Sequence, residues 1–349
     1  MLQSLQAARA LAATAVAAFH LSIMMGEDRY GGRDVFSEYT ARGYLGVDFF
    51  FVLSGFIILF AHQRDIGQPA ALKGYLWRRF VRLFPIYWLY VAVFALLVGV
   101  AGLGTAAKLP TTWQEVVTAL TLVRVSSEVL PFPVAWSLHH ELLFYLLFAV
   151  LILNARVGWA AFGLLALVCL TFSTFRWGTE SVLLQTYTST YNLYFLLGMG
   201  ACFLYRREGS AALWLALGVA ISVAAFLALR NEVRHAQLFL ACGFAFIVAG
   251  VAKLEQAGRI SAPMWLVFIG DASYTLYLLH ESISGLLLKV VMKLKLYPLL
   301  GAELVYLVVI VATIALSCVA YLLLEKPLLQ VLRKFRLRAP VLVEKPQSA

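Results

Sequence analysis

Charge is what this 349-residue sequence has least of: Asp, Glu, Lys and Arg together make up 13% of it, against about 25% in soluble domains. That shortage excludes a water-covered surface of this size, and no polar stretch is long enough to form a separate soluble domain. Cysteine is also sparse. Cys169, Cys202, Cys242 and Cys318 each lie inside an apolar run and none belongs to a CxxC pair, so thiols buried as small hydrophobes are expected rather than disulfides or thiolate metal ligands. A metal held by His20, His139, His140 and a carboxylate finds no support, because HExxH and comparable spacings are missing; no metal is expected. There is also no repeated half-and-half pattern with broken helices at matching places, the common signature of a transporter.

Apolar length is what the sequence does have. It is 62% hydrophobic with a mean hydropathy of +0.85. At about 20 residues per crossing the runs place spans near 5–25, 43–61, 83–103, 134–153, 157–175, 189–205, 211–229, 236–252, 264–287 and 299–324. The expected fold class is therefore all-α, a polytopic transmembrane bundle of about ten spans. The alanine-rich first run is read as a span rather than a cleaved signal. A net charge of +10 fits a membrane orientation bias better than nucleic-acid binding. With both termini cytoplasmic, most of the Lys and Arg fall inside. The strongest segment is RDIGQPAALKGYLWRRFVR; Lys289, Lys293 and Lys295 oppose this orientation.

Several ionisable groups interrupt the spans. Arg9 and His20 are eleven residues apart, close to three helical turns, which puts them on one face about 16 Å apart along the axis. Taken singly, each could be an interfacial anchor. Asp48 sits in GYLGVDFFFVLSGFIILF and Glu141 in WSLHHELLFYLL, at depths resembling that of His20. Either carboxylate could orient an imidazole acting as general base, and the spacing does not choose between them. His139 and His140, being adjacent, point to different faces. Arg79 and Arg82 share a face in RRFVRLFPIYW and with Arg9 would receive phosphates; a basic collar holding anionic lipid is the alternative. In GDASYTLYLLHESI, residues Asp271, Ser273, Tyr274, Tyr277 and His280 form a polar stripe, either a ligand passage or interhelical hydrogen bonding.

These segments resemble the membrane-bound acyltransferase family 3, which includes O-acetyltransferases of bacterial envelope sugars and polysaccharides. Arg9 to His20 matches its Arg-x10-His element, GVDFFFVLSGFII its second-span signature and RRFVRLFPIYW its Arg-x-x-Arg element. WSLHHELLFY, GDASYTLYLLH and the closing EKP at 325–327 complete the series in family order. The resemblance implies an acyltransferase membrane domain over 1–330, followed by a basic cytoplasmic tail at 331–349, in a bacterial inner membrane. It implies transfer of an acyl group from acetyl-CoA, a co-substrate rather than a resident cofactor, to a hydroxyl of a glycan or lipid-linked sugar. His20 is then the centre of the chemistry, with Glu141 essential and Asp48 in support. Arg9, Arg79 and Arg82 engage the donor, and Trp136, Tyr145, Ser273, Tyr277 and His280 face substrate. Membrane lipid and glycan-assembly proteins are the expected partners. Proton removal by His20 with direct transfer, and an acyl-histidine relay, both remain open at this stage. The rival function is a glycan or small-anion transporter. On the layout expected here, His20, Asp48 and Glu141 line one cavity with the three arginines at its cytoplasmic end.

Overall fold

The computed structural model describes residues 2–101, 109–129, 131–175 and 179–335. Residues 102–103 of the third expected span and 336–349 of the basic tail lie outside the described residues. Among the described residues there are helices and no strands. In chain order the long helices are α1 (Gln3–Gly26), α2 (Gly46–His62), α3 (Leu72–Ala101), α4 (Trp136–Leu153), α5 (Ala155–Phe175) and α6 (Tyr191–Arg206). They continue with α7 (Ala211–Arg230), α8 (Ala236–Gln256), α9 (Met264–Asp271), α10 (Ser273–Lys293), α11 (Ala302–Ala320) and α12 (Lys326–Lys334).

Nine helical segments among the described residues are long and apolar enough to cross a membrane. The sixth expected span corresponds to α6, which at 16 residues is shorter than a usual crossing. It is nonetheless packed deep between α2 and α8. A Cβ on Gly55 would come 2.0 Å from the Phe195 carbonyl oxygen, and one on Gly198 would come 1.9 Å from that of Val52. The two glycines let the backbones of α2 and α6 touch, a device of membrane helices, where close packing replaces the hydrophobic driving force.

The expected ninth span is not one helix. It is interrupted at Ala272 into α9 and α10. The cause lies on α1: Gly270 packs against the Gln6 carbonyl, where a Cβ would come within 2.0 Å, and the Gln6 amide donates to the Asp271 carboxylate. Held there, the chain restarts as α10 with Ser273 beside Arg9. The third span also begins earlier than expected, at Leu72, so the Arg79–Arg82 face is fully helical. The last expected span continues from α11 through a π turn, Tyr321–Glu325, into α12, so the helix runs past the expected boundary at residue 330.

Two buried clusters meet across α1 and α2. The larger joins α2, α3, α4 and α6; the smaller surrounds Met25, Leu288 and Tyr306 where α1 meets α10 and α11. All four cysteines are free thiols.

Candidate active site

α1, α2, α3, α4 and α10 enclose a cavity of about 770 Å³ lined by Arg9, Arg78, Arg79, Arg82 and Arg333 together with Glu141, Tyr145, Ser273, Tyr274 and Glu325. The Arg9 guanidinium donates twice to Ser273 Oγ, from Nε at 3.1 Å and Nη2 at 3.0 Å, and lies over the Phe50 ring, 5.8 Å from its centroid. Arg82 Nη1 donates to Glu325 Oε1 at 3.1 Å. Glu325 is fully buried and its second oxygen accepts from Thr275 Oγ1 at 2.6 Å. Tyr145 donates to Glu141 through its hydroxyl.

Arg79 is held from both sides. Its guanidinium carbon lies 5.8 Å from the Tyr75 ring centroid and 5.6 Å from that of Tyr145, within cation–π range. Behind it, His62 Nδ1 donates to Asp65 Oδ2 at 2.7 Å, which leaves Nε2 as an acceptor for Arg79 Nη2 at 3.4 Å. Arg78 also pairs with Asp65, at 3.6 Å. Arg79 Nε is buried with no hydrogen-bond partner among the described residues. An oriented guanidinium with a spare donor, among further guanidiniums, fits phosphate oxygens.

His20 does not line this cavity. It lies farther along α1, against α10. His20 Nδ1 is 2.9 Å from the Val16 carbonyl oxygen, and a carbonyl only accepts, so Nδ1 carries the proton and Nε2 keeps the lone pair. His280 is fixed in the same way, its Nδ1 donating to the carbonyls of Tyr277 at 2.7 Å and Leu276 at 3.2 Å. His280 Nε2 therefore shares the His20 Nδ1 proton, at 3.2 Å. The basic nitrogen, His20 Nε2, faces Glu281 Oε1 at 3.5 Å. The side chains of His20 and Glu281 are 25% and 28% exposed, so a substrate hydroxyl can reach the pair. An imidazole of fixed tautomer with a carboxylate at its free nitrogen can accept a proton and have the resulting charge stabilised.

His20, His280 and Glu281 also carry the group of possible metal ligands found among the described residues, their donor atoms lying within 4.8 Å of one another. His20 Nδ1 and His280 Nε2, 3.2 Å apart, share a proton, and each ring also donates from its Nδ1 to a backbone carbonyl.

The expected site residues are thus brought together in two groups. Arg9, Arg79, Arg82, Glu141, Tyr145 and Ser273 converge in the cavity, while His20 and His280 meet beyond it; Tyr277 touches both. Glu141 lies with the arginines rather than with His20. Asp48 is not brought to His20 either: it is buried and accepts a hydrogen bond from Gln237 Nε2 at 2.9 Å. Trp136 stands in an aromatic cluster with Phe51, His140 and Tyr191. His139 and His140 do point apart, to the Leu122 carbonyl at 2.7 Å and to Asn192 at 2.8 Å. Three residues escaped the sequence reading. Glu281 directly follows His280, so its place in an apolar run was a usable signal. His62 and Asp65 stand at i,i+3 where α2 ends, but nothing local ties them to Arg79.

A family model described as "Acyltransferase domain" matches residues 2–322. The exopolysaccharide production protein ExoZ of Rhizobium meliloti (strain 1021) is 30% identical over 303 residues, covering 82% of this chain and 90% of that protein. The peptidoglycan O-acetyltransferase OatA of Listeria monocytogenes is 35% identical over 92 residues, 26% of this chain and 12% of its own length. No solved structure matches the chain.

Proposed function

Because this chain belongs to the acyltransferase-domain family, we propose that it moves an acetyl group from acetyl-CoA to a hydroxyl of an envelope polysaccharide or a lipid-linked precursor of one. It is a multi-pass membrane O-acyltransferase; the donor, the acceptor, the bacterial inner membrane and the cytoplasmic termini belong to the proposal. ExoZ and OatA, named for exopolysaccharide production and for peptidoglycan O-acetylation, support an envelope glycan as acceptor. The observation that carries the reading is the placement of a guanidinium-lined cavity and a tautomer-fixed imidazole along one helix, α1. Arg9, Arg79 and Arg82 grip the phosphates of the donor from the cytoplasmic side. His20 Nε2 takes the proton of the acceptor hydroxyl as its oxygen attacks the thioester carbonyl. The imidazolium so formed is held by Glu281 and returns the proton to the sulfur as the C–S bond breaks. His280, accepting from Nδ1, keeps His20 in the working tautomer.

The test is transfer of labelled acetyl from acetyl-CoA to extracted envelope glycan by membranes carrying each variant. His20→Ala and His20→Gln should insert normally and lose more than about 100-fold in rate, roughly 2.7 kcal/mol in the barrier. Full transfer by His20→Ala overturns the mechanism. Saturable glycan uptake without any acyl transfer by the unaltered protein makes it a transporter.

A further inference from the structure

The donor cavity is not lined by either histidine of the His20 pair. What stands between them is two rings. The cavity is bounded by Phe50 and Tyr277 and does not include His20 or His280. From cavity to imidazole the contacts run in series: Arg9 lies on Phe50, Phe50 meets Tyr277 edge-on with centroids 6.0 Å apart, Tyr277 meets His280 at 6.1 Å, and His280 meets His20 at 4.9 Å.

The two rings are held differently. The Tyr277 hydroxyl donates to the Val134 carbonyl at 2.8 Å and contacts Ser137 Oγ at 2.9 Å, and the residue is buried. Phe50 has no polar anchor. It is half-buried and packs against the edges of both buried clusters. Its neighbours are fixed elsewhere: Phe51 is buried among Trp136, Tyr191 and Phe195, and Phe49 stands against Phe244. One leaf of the partition is therefore pinned by hydrogen bonds, and the other is held by ring packing and by the Arg9 guanidinium on its face.

Arg9 and His20 are about 16 Å apart along α1. The series of contacts from the Arg9 end to His20 runs through the Phe50 ring, which a thioester gripped by its phosphates at Arg9 would meet on that line. We propose that Phe50 is the acyl-selecting gate of this transferase: its ring is displaced by the incoming acyl-thioester arm, and the space it vacates, walled by the pinned Tyr277, is the acyl subsite, sized for a short acyl group. This rests on the functional reading above. The closed ring also opposes entry of the thioester to the exposed His20 pair, so that contact of the carbonyl with water there is rarer than it would be without the ring. Without it, water attacks the carbonyl at His20, releasing carboxylate, the CoA thiol and a proton.

The test uses the full chain in liposomes, with acetyl-CoA and butyryl-CoA as donors and release of free thiol as readout, with and without de-esterified envelope glycan. Phe50→Ala should raise the butyryl-to-acetyl ratio of kcat/KM by about 10-fold or more, the scale on which an apolar pocket counts methylenes. It should also release thiol without acceptor faster than the unaltered protein does. Phe50→Leu should shift both readouts by less, and serves if the alanine variant does not fold. Unchanged ratios in the folded variants, or equal loss with both donors and no acceptor-free release, overturn the gate. An unaltered protein that releases no thiol with either donor and glycan overturns the functional reading instead.

Discussion

Glu325 offers the sharpest energetic test, because it is a wholly buried carboxylate facing a guanidinium that is 33% exposed toward the cavity. Its two oxygens are divided between Arg82 and Thr275, and Thr275 is bonded in turn to the Tyr90 hydroxyl at 2.7 Å. Glu325→Ala removes the partner of a buried charge, for which the usual loss is about 3–5 kcal/mol. Part of Arg82 remains solvated from the cavity, so the lower end of about 3 kcal/mol is expected. Glu325→Gln keeps the shape: its carbonyl faces Arg82 and its amide turns to Thr275, whose hydroxyl then donates to Tyr90. The charge assistance is lost, about 1–1.5 kcal/mol, the difference between a hydrogen bond to a charged group and a neutral one. The assay is unfolding in mixed micelles of rising SDS fraction, followed by tryptophan fluorescence, across a cycle of Glu325→Ala, Arg82→Ala and the double variant. The two changes should couple by more than about 1 kcal/mol, because the double variant leaves no orphaned charge. Additivity within about 0.5 kcal/mol would refute the pairing.

The His62 link predicts that His62→Ala raises the KM for acetyl-CoA about 5- to 20-fold, since a bond as long as 3.4 Å sits at or below the low end for a hydrogen bond to a charged group, with a smaller change in kcat; initial-rate kinetics separate the two, and a fall in kcat at constant KM contradicts the link. Asp48→Ala should lower stability by about 1 kcal/mol by taking from half-buried Gln237 the carboxylate it donates to. Asp48→Leu with Gln237→Leu should recover part of that in the same unfolding assay; a double variant no better than the single one contradicts this account. Gly198→Leu should yield little folded protein by size-exclusion chromatography, since overpacking here meets backbone. Gly200→Leu, which meets nothing within 4 Å, is the control and should elute normally.

The bundle was legible because lipid forces backbone polar groups into helices and forces apolar length on every crossing. Helical phase was legible for the same reason: Arg9 and His20, three turns apart, do face one neighbour, touching Ser273 and His280 of α10. Depth was the weak point. Asp48 and Glu141 looked equivalent when each was measured from the start of its run, yet one is buried against Gln237 and the other lies with the arginines. A hydropathy run dates a helix only to within a turn or more, and one turn is about 5.4 Å, larger than any hydrogen bond. The partners of His20 and Arg79 come from far along the chain or from the ends of helices, where spacing carries no information about tertiary contact.

The π turn at Tyr321–Glu325 decides which changes of length the last helix can bear. A π turn holds one more residue than the α-helical path it replaces. Loss of Leu322 or Leu323, both exposed, lets the turn close into regular α geometry along that same path, so α12 keeps its direction. Regular helix such as Lys326–Lys334 has no spare residue: one lost between Glu325 and Arg333 turns everything beyond it by about 100°. Glu325 would stay on Thr275 and Arg82 while Arg333 swings away from the cavity.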